Sequence, residues 1–385
     1  MTAISSAIRA QFSIFETKTY INSCSYGALC SDVENAFKEY LQTRLTRGSQ
    51  WELWMEKLDY VRSHLSTLLV CQPDEIAITP SVSVSLNSII SALDFSSGRN
   101  KVVVTDFDFP TTSQIWMAQQ QHGANIVRAK ANENGSEIPL SEFEKLIDEQ
   151  TLIVSIPYVC YHNGSKLDPK PVIEMAHKYG AMVLIDGYQG IGTFPIDLKN
   201  LDVDFITGGC TKYLIGTSGV GFLYVNSRTV SKLQPTATGW FAQDDINAMD
   251  IYHHRPSRTA SRFESGTPSV SGLYAVEAGL KFILNIGISK IDSQINKLTA
   301  SIKKQTLENG WQLVTPEDPE KHGAMIAIKS NDAPQLVSRL AKADIVVSDR
   351  NSNLRISTHF YNNEDDLDHL FAELKNNEEL LLKKI

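Results

Sequence analysis

Asp186 closes the apolar run MVLID, and Lys212 follows VDFITGGCT, just past a second such run. In open α/β sheets ligands collect at the carboxyl ends of the strands, so both side chains can face one crevice. A carboxylate and an amine in one crevice suit pyridoxal phosphate. The lysine forms a Schiff base with its aldehyde, and the carboxylate keeps the ring nitrogen protonated so that the ring accepts electrons. Taken singly, neither residue decides anything, because a strand-end Asp also caps turns and a Lys is ordinarily solvated.

The elements that must hold these two residues are readable from about residue 70. Strands are expected at 75–79 (EIAIT), 101–105 (KVVVT), 125–128, 151–156 (TLIVSI), 182–186, 203–207 (VDFIT) and 220–225 (VGFLYV). Helices are expected between them at 85–93, 113–122 and 171–179, the last closed by Gly180. Continuous Val/Ile/Leu runs separated by helices indicate a mainly parallel sheet covered on both faces, an α/β domain. The segment YHHRPSRTASRFESGTPS is polar and rich in Ser, Arg and Pro, and a long helix over 272–284 follows it. Beyond residue 288 the pattern reads helix (291–309), strand (325–329), helix (334–343), two strands and a last amphipathic helix (364–375). The expectation is a large domain over 16–265 and a smaller α+β C-terminal domain over 285–385, with the segment 1–15 packing on the latter.

Composition narrows the partners. The chain has 385 residues with 36 Lys+Arg against 44 Asp+Glu, a formal net charge of −8. That balance, with no basic run longer than Lys-Lys, argues against nucleic acid as the main partner. No apolar stretch approaches the ~20 residues that a membrane span needs. The start MTAISSAIRAQFSIFETKTY lacks the basic head and apolar core of a signal peptide, so a cytoplasmic protein is expected. The cysteines at 24, 30, 71, 160 and 210 are few, odd in number and scattered, as reduced thiols are. With no CxxC or HExxH spacing, no metal is expected, and Cys160-Tyr161-His162 and His253-His254 lack further ligands. An early GxGxxG is absent too, which disfavours a nicotinamide-dependent dehydrogenase.

The segment VLIDGYQGIGTFPIDLKNLDVDFITGGCTKYLIGTSGVGFLYV resembles the core of the fold-type I, class V aminotransferase superfamily. That superfamily includes cysteine desulfurases, kynureninases and isopenicillin N epimerase-like enzymes. The resemblance runs from YINSCSYG near the start to LRISTHFYNNEDDLDHL near the end. It implies a fold-type I pyridoxal-phosphate-dependent transferase with Lys212 as the Schiff-base lysine and Asp186 as the partner of the ring nitrogen. Gln189 matches the position that hydrogen-bonds the phenolic oxygen of pyridoxal 5'-phosphate, and Asn163 is a second candidate there, with Tyr161 or His162 as alternatives one or two residues away. Phe109 in DFDFPTT takes the ring-stacking position. Ser81, Val82 and Ser83 sit between a strand and a helix, where amides and hydroxyls receive a phosphate, and Thr211 resembles a further phosphate ligand. Gly266 and Thr267 in RFESGTPS match the segment that reaches the phosphate of a neighbouring subunit, which implies a homodimer.

Arg355 in NLRIST matches the arginine that grips the substrate α-carboxylate, a task suited to a planar guanidinium fork. Asn22, with Ser25 and Tyr26, is a candidate for the same pocket. Desulfurases of the superfamily carry a nucleophilic cysteine in the loop before that arginine. Here the loop reads VVSDRNSNLRIS, without one, and a desulfurase is disfavoured. Aminotransfer is the expected reaction on an amino-acid substrate, with C–S or C–C lysis or epimerisation as the alternatives. A cofactor-binding module without turnover is a third reading, against which Lys212, Asp186 and Arg355 together count. All three reactions begin with loss of the Cα proton, for which Lys212 is the natural base.

Overall fold

The computed structural model describes residues 6–384, and the first five residues of the expected N-terminal packing segment lie outside the described residues. Twelve strands occur in this range: β1 (Thr19–Tyr20), β2 (Ile76–Thr79), β3 (Lys101–Thr105), β4 (Asn125–Ala129), β5 (Thr151–Pro157), β6 (Met182–Asp186), β7 (Phe205–Gly209), β8 (Gly221–Val225), β9 (Met325–Lys329), β10 (Ile345–Val346), β11 (Ser348–Arg350) and β12 (Asn353–Ser357). The helices are α1 (Ser6–Arg9), α2 (Ser31–Arg47), α3 (Trp51–Leu69), α4 (Val82–Ile90), α5 (Pro110–Ala118), α6 (Leu140–Leu146), α7 (Pro169–Lys178), α8 (Leu198–Leu201), α9 (Ser227–Val230), α10 (Val270–Ile286), α11 (Ile288–Glu308), α12 (Ala333–Lys342) and α13 (Glu364–Asn376).

Seven strands form one sheet in the order β2-β8-β7-β6-β5-β3-β4. Pairing is parallel throughout except at β8, which runs antiparallel to both β2 and β7. The expected α/β architecture is therefore present, with one reversed strand. Each apolar run divides its side chains between two cores with a period of two residues. Val103, Val183, Ile185 and Ile206 enter the core on one face, whereas Val102, Val104, Leu184 and Phe205 enter the core on the other. That division is why these strands read as continuous rather than alternating hydrophobic segments.

A three-stranded antiparallel sheet, β11-β12-β9, belongs to a third core. Leu354 and Ile356 of β12 face that core together with Leu336, Leu340 and Leu370 from α12 and α13. Arg355, between them on the strand, consequently faces the opposite way, toward the large sheet. Near the start of the chain, Arg9 forms two 2.8 Å bonds to Asp366 on α13, and its Nη1 donates to the Tyr361 carbonyl at 2.7 Å.

The structure departs from the sequence-based expectation at several elements. Residues 31–69, to which no element was assigned, form α2 and α3, which pack with α10. The helix expected at 85 begins at Val82, because Ser81 caps it by accepting a hydrogen bond from the Val84 amide at 3.3 Å. The strand expected at 203–207 runs over Phe205–Gly209, two residues later.

A buried ion pair ties α3 to the sheet. Arg62 Nη2 lies 2.7 Å from Glu264, whose same oxygen accepts the Ile78 amide of β2 at 2.8 Å. Burial raises the Glu264 pKa, and the Arg62 charge opposes that rise. Replacing Arg62 with Met strands a buried carboxylate, so the denaturation midpoint should fall by the equivalent of about 3 kcal/mol. Adding Glu264→Gln to Arg62→Met should recover part of the loss. An unchanged midpoint in urea titrations of Arg62→Met, followed by circular dichroism, would contradict this account.

Candidate active site

Parallel order places the ends of β5 and β6 and the turn after β7 side by side, and a cavity of about 270 Å³ opens there. Its wall contains Asp186 from the end of β6, Tyr188 and Gln189 from the following turn, and Thr211 and Lys212 from beyond β7. Ser81, Val82 and Ser83 at the start of α4 form a second side, and Phe107, Phe109, Thr111 and Thr112 at the start of α5 form a third. Ser25 and Tyr161 close the remaining edge. A larger hollow of about 540 Å³ lies between the 137–143 and 166–172 segments and shares only Phe107 with this cavity. Its Lys321 is already paired with Glu137 at 2.8 Å, and it holds neither Lys212 nor Asp186.

Lys212 Nζ makes no hydrogen bond or ion pair with any described residue. It lies 4.2 Å from the Tyr188 ring centroid and 5.9 Å from that of Phe109. Withdrawal from water lowers its pKa to about 8; negative charge at Cys24 and Asp186 opposes this shift, and the Arg355 and Arg350 charges reinforce it. Asp186 is raised by the same burial, against the Tyr188 amide that donates to Oδ1 at 3.0 Å and against the charge of Lys212. Desolvation therefore outweighs mutual attraction, and both groups move toward their neutral forms. Beside them the buried Asp108 is raised to about 7 by desolvation, with Thr105 donating to Oδ1 at 2.6 Å and Oδ2 unpartnered.

The backbone that presents Lys212 is held from several sides. Ile215 adopts φ 48°, a left-handed conformation unfavourable for a β-branched residue and worth about 1–3 kcal/mol of strain. The Gly216 amide donates to the Cys210 carbonyl and the Gly27 amide to the Thr211 carbonyl, both at 2.8 Å. His359 donates Nε2–H to the Tyr213 carbonyl at 2.8 Å. The imidazole is neutral there, because burial lowers its pKa to about 3.

Arg355 occupies the far side. It is 3% exposed and makes no ion pair with a described residue. Nη1 donates to the Tyr161 carbonyl at 2.8 Å, Nη2 donates to Ser348 at 2.9 Å and Ser25 at 3.2 Å, and Nε has no partner. A buried guanidinium without a counter-charge is costly and is offset by an arriving anion. Cys24 adjoins this group, with Sγ 3.9 Å from both Ser348 Oγ and Asn22 Oδ1. A thiol thus stands near Arg355 although the segment preceding Arg355 contains none.

Of the residues selected from sequence, Lys212, Asp186, Gln189, Phe109, Ser81, Val82, Ser83 and Thr211 share the cavity wall. Arg355 lies directly behind Ser25 and Tyr161. Asn163 does not join them. It is fully buried, with Nδ2 donating to the Gly135 carbonyl at 2.8 Å and Oδ1 accepting the Ser165 amide at 2.9 Å. The tight turn closed by Gly164, at φ 77°, directs it away, and Tyr161 takes the wall position instead. Asn22 is half-buried outside the wall, its backbone bridged to Ser357. Gly266 and Thr267 are exposed and border a separate hollow of about 110 Å³ beside Pro80 and Val84. Tyr188, Thr111, Thr112 and Phe107 were not selected. Tyr188 was findable from its place in IDGYQG, two residues past Asp186.

The unpartnered atoms fit a phosphorylated pyridine aldehyde. Gln189 Oε1 and Thr112 Oγ1 are buried without partners, and the first amides of α4 point out of their helix. No helix among the described residues is long and apolar enough to cross a membrane. No group of three or more His, Cys, Asp or Glu suited to a metal ion occurs among them.

The family model for aminotransferase class-V matches residues 29–370. The chain is 32% identical to the uncharacterized aminotransferase YcbU of Bacillus subtilis, over 95% of this chain and 96% of that protein. It is 25% identical to the kynureninase of Geobacillus thermodenitrificans, over 90% of this chain and 84% of that enzyme. Its fold superposes on the cysteine desulfurase of Thermococcus onnurineus with a TM-score of 0.88 at 21% identity, covering 98% of both chains.

Two measurements test the geometry around Lys212. Reductive methylation of the apoprotein, mapped by mass spectrometry, should label Lys212 at a rate that rises with pH through about 8, as the neutral amine appears. In Asp186→Asn the midpoint should move lower, because the carboxylate favours the ammonium form. A midpoint above 10, the ordinary range for lysine, would contradict the assigned burial. A methyl group at Gly27 would overlap the Lys212 carbonyl, so Gly27→Ala should weaken pyridoxal phosphate binding at least tenfold in an absorbance titration.

Proposed function

Because this chain belongs to the aminotransferase class-V family, a family of pyridoxal-phosphate enzymes acting on amino acids, we propose that it is an aminotransferase working at Cα of an amino acid with pyridoxal 5'-phosphate. One observation carries the reading: an amine without a hydrogen-bond partner, lowered to about 8 by burial, shares a strand-end cavity with a buried carboxylate. When bound, pyridoxal phosphate supplies an aldehyde and an electron-accepting ring. Lys212 would be the amine that holds that aldehyde and the base that takes the Cα proton and returns one. Asp186 holds the ring nitrogen protonated, and Phe109 covers one ring face.

The open amides of Val82 and Ser83, with the hydroxyls of Ser81 and Thr211, receive the phosphate. Gln189 binds the phenolic oxygen, with Asn163 too far enclosed to share that role. Arg355 takes the substrate α-carboxylate, and Asn22 shapes the same side from behind Ser25. We further propose a division into a large domain over 16–265, which supplies the cavity wall, and a small one over 285–385, which supplies Arg355 behind it. We extend the reading to a homodimer in which Gly266 and Thr267 approach the partner subunit's phosphate. Exposed Leu41, Leu45 and Trp51 on α2 and α3, and Ile251 and Tyr252, supply apolar surface for it.

The test is spectroscopic, then catalytic. The purified protein should show a visible cofactor band that Lys212→Ala lacks; a band present in both, or absent from both, would remove Lys212 from its role. An amino-acid panel with and without a keto-acid acceptor then separates the reactions. Transfer to the acceptor supports the aminotransferase. Pyruvate or sulfide formed without it points to the lyase, and inverted stereochemistry to the epimerase. Arg355→Ala should cost at least tenfold in kcat/KM, mostly through KM.

A further inference from the structure

We propose that Arg350 and Arg355 together form a two-guanidinium receptor, so that the substrate is an amino acid with a second carboxylate on its side chain. This rests on the reading of Arg355 as the α-carboxylate residue. The β11–β12 hairpin pairs Ser348 with Arg355 and Arg350 with Asn353. Paired residues in an antiparallel ladder project from the same face, as do alternate residues along one strand. Ser348, Arg350, Asn353 and Arg355 therefore share a face. Val347, Leu354 and Ile356 face the third core on the other side.

The shared face meets the loop that supplies Tyr161. Arg355 donates to the Tyr161 carbonyl at 2.8 Å, and Asn353 Nδ2 reaches the His162 carbonyl at 3.5 Å. The hairpin turn fixes this aspect, because Asn351 and Ser352 form a two-residue loop with φ of 51° and 59°. Paired positive φ values give the turn whose twist matches its strands. Arg350, exposed at the end of β11, is thus presented on the same face as Arg355.

Arg350 has no ion pair with a described residue; its one side-chain hydrogen bond, 2.8 Å, goes to the carbonyl of Asp349. The Asp349 side chain lies on the opposite face by the same alternation. The positive charge of Arg350 acts on both Lys212 and Tyr161, two groups of the cavity wall. Two residues along a strand separate Arg350 from Ser348, which bonds Arg355; at ~3.3 Å per residue that is about 7 Å of backbone. A guanidinium fixed at Arg355 and a second, solvent-exposed one at Arg350 on the same face suit the two carboxylates of one acidic amino acid. On the same face, buried Asn353 Oδ1 and Arg355 Nε also lack partners.

Two readouts test the proposal on the pyridoxal-phosphate-loaded protein. By calorimetry, the unreactive dicarboxylate succinate should bind at least tenfold more tightly than propionate, and Arg350→Gln should abolish that preference. In turnover, the ratio of kcat/KM for aspartate or glutamate over asparagine or glutamine should fall at least tenfold in Arg350→Gln, mainly through KM. Equal binding of succinate and propionate, or an unchanged ratio, overturns the role of Arg350 and leaves Arg355 intact. Failure of both acids to bind overturns both.

Discussion

Everything at this site depends on withdrawing the Lys212 amine from water. An exposed lysine is protonated and inert at neutral pH. The chain changes that with surroundings rather than with a special neighbour: aromatic rings lie beside Nζ, and no hydrogen bond stabilises the ammonium. Asp186 pulls in the opposite direction without overcoming the desolvation of the amine. A carboxylate close enough to serve a ring nitrogen would, in water, simply pair with the lysine. In this cavity the outcome is an amine and an acid both displaced toward neutrality.

Such an arrangement costs stability, and the fold distributes that cost over elements far apart in sequence. The strained Ile215 is tolerated because the backbone around it is fixed by Gly27 from the N-terminal segment and by His359 from beyond β12. The third core turns its strand so that Arg355 faces the cavity side, leaving the apolar neighbours Leu354 and Ile356 inside. The site is thus assembled where segments as far apart as those near residues 25, 210 and 355 meet.

This assembly explains what the sequence made legible. The strands of the large sheet were readable because burial on both faces makes them continuous Val/Ile/Leu runs, and their ends then located Asp186 and Lys212. Helix α3 carried a comparable signal, since Trp54, Leu58, Val61, Leu65 and Leu68 are buried at helical spacing, but helix α2 did not. On α2 only Val33 and Ala36 are buried while Leu41 and Leu45 stand exposed, so no apolar stripe with helical period marks the element. Asn163 failed for a local reason, since a turn pivoting on Gly164 decides which of three consecutive polar side chains enters the cavity. Chain order also misled about thiols. The segment before Arg355 has no cysteine, yet Cys24 reaches the same group of side chains from the other end of the protein.

With the proposed roles, the charges around Lys212 also couple substrate binding to proton transfer. Arg355 and Arg350 lower its proton affinity, as the unneutralised positive charge of each opposes an ammonium. A substrate carboxylate settling on Arg355 cancels part of that charge, and a second on Arg350 cancels more. Once freed, Lys212 is then a stronger base with an anionic substrate in place than without one. The balance is set by groups that never touch the reacting carbon. An amino acid that leaves one guanidinium unpaired would bind more weakly and would meet a less basic lysine. Selectivity and proton abstraction would then rest on the same pair of cations.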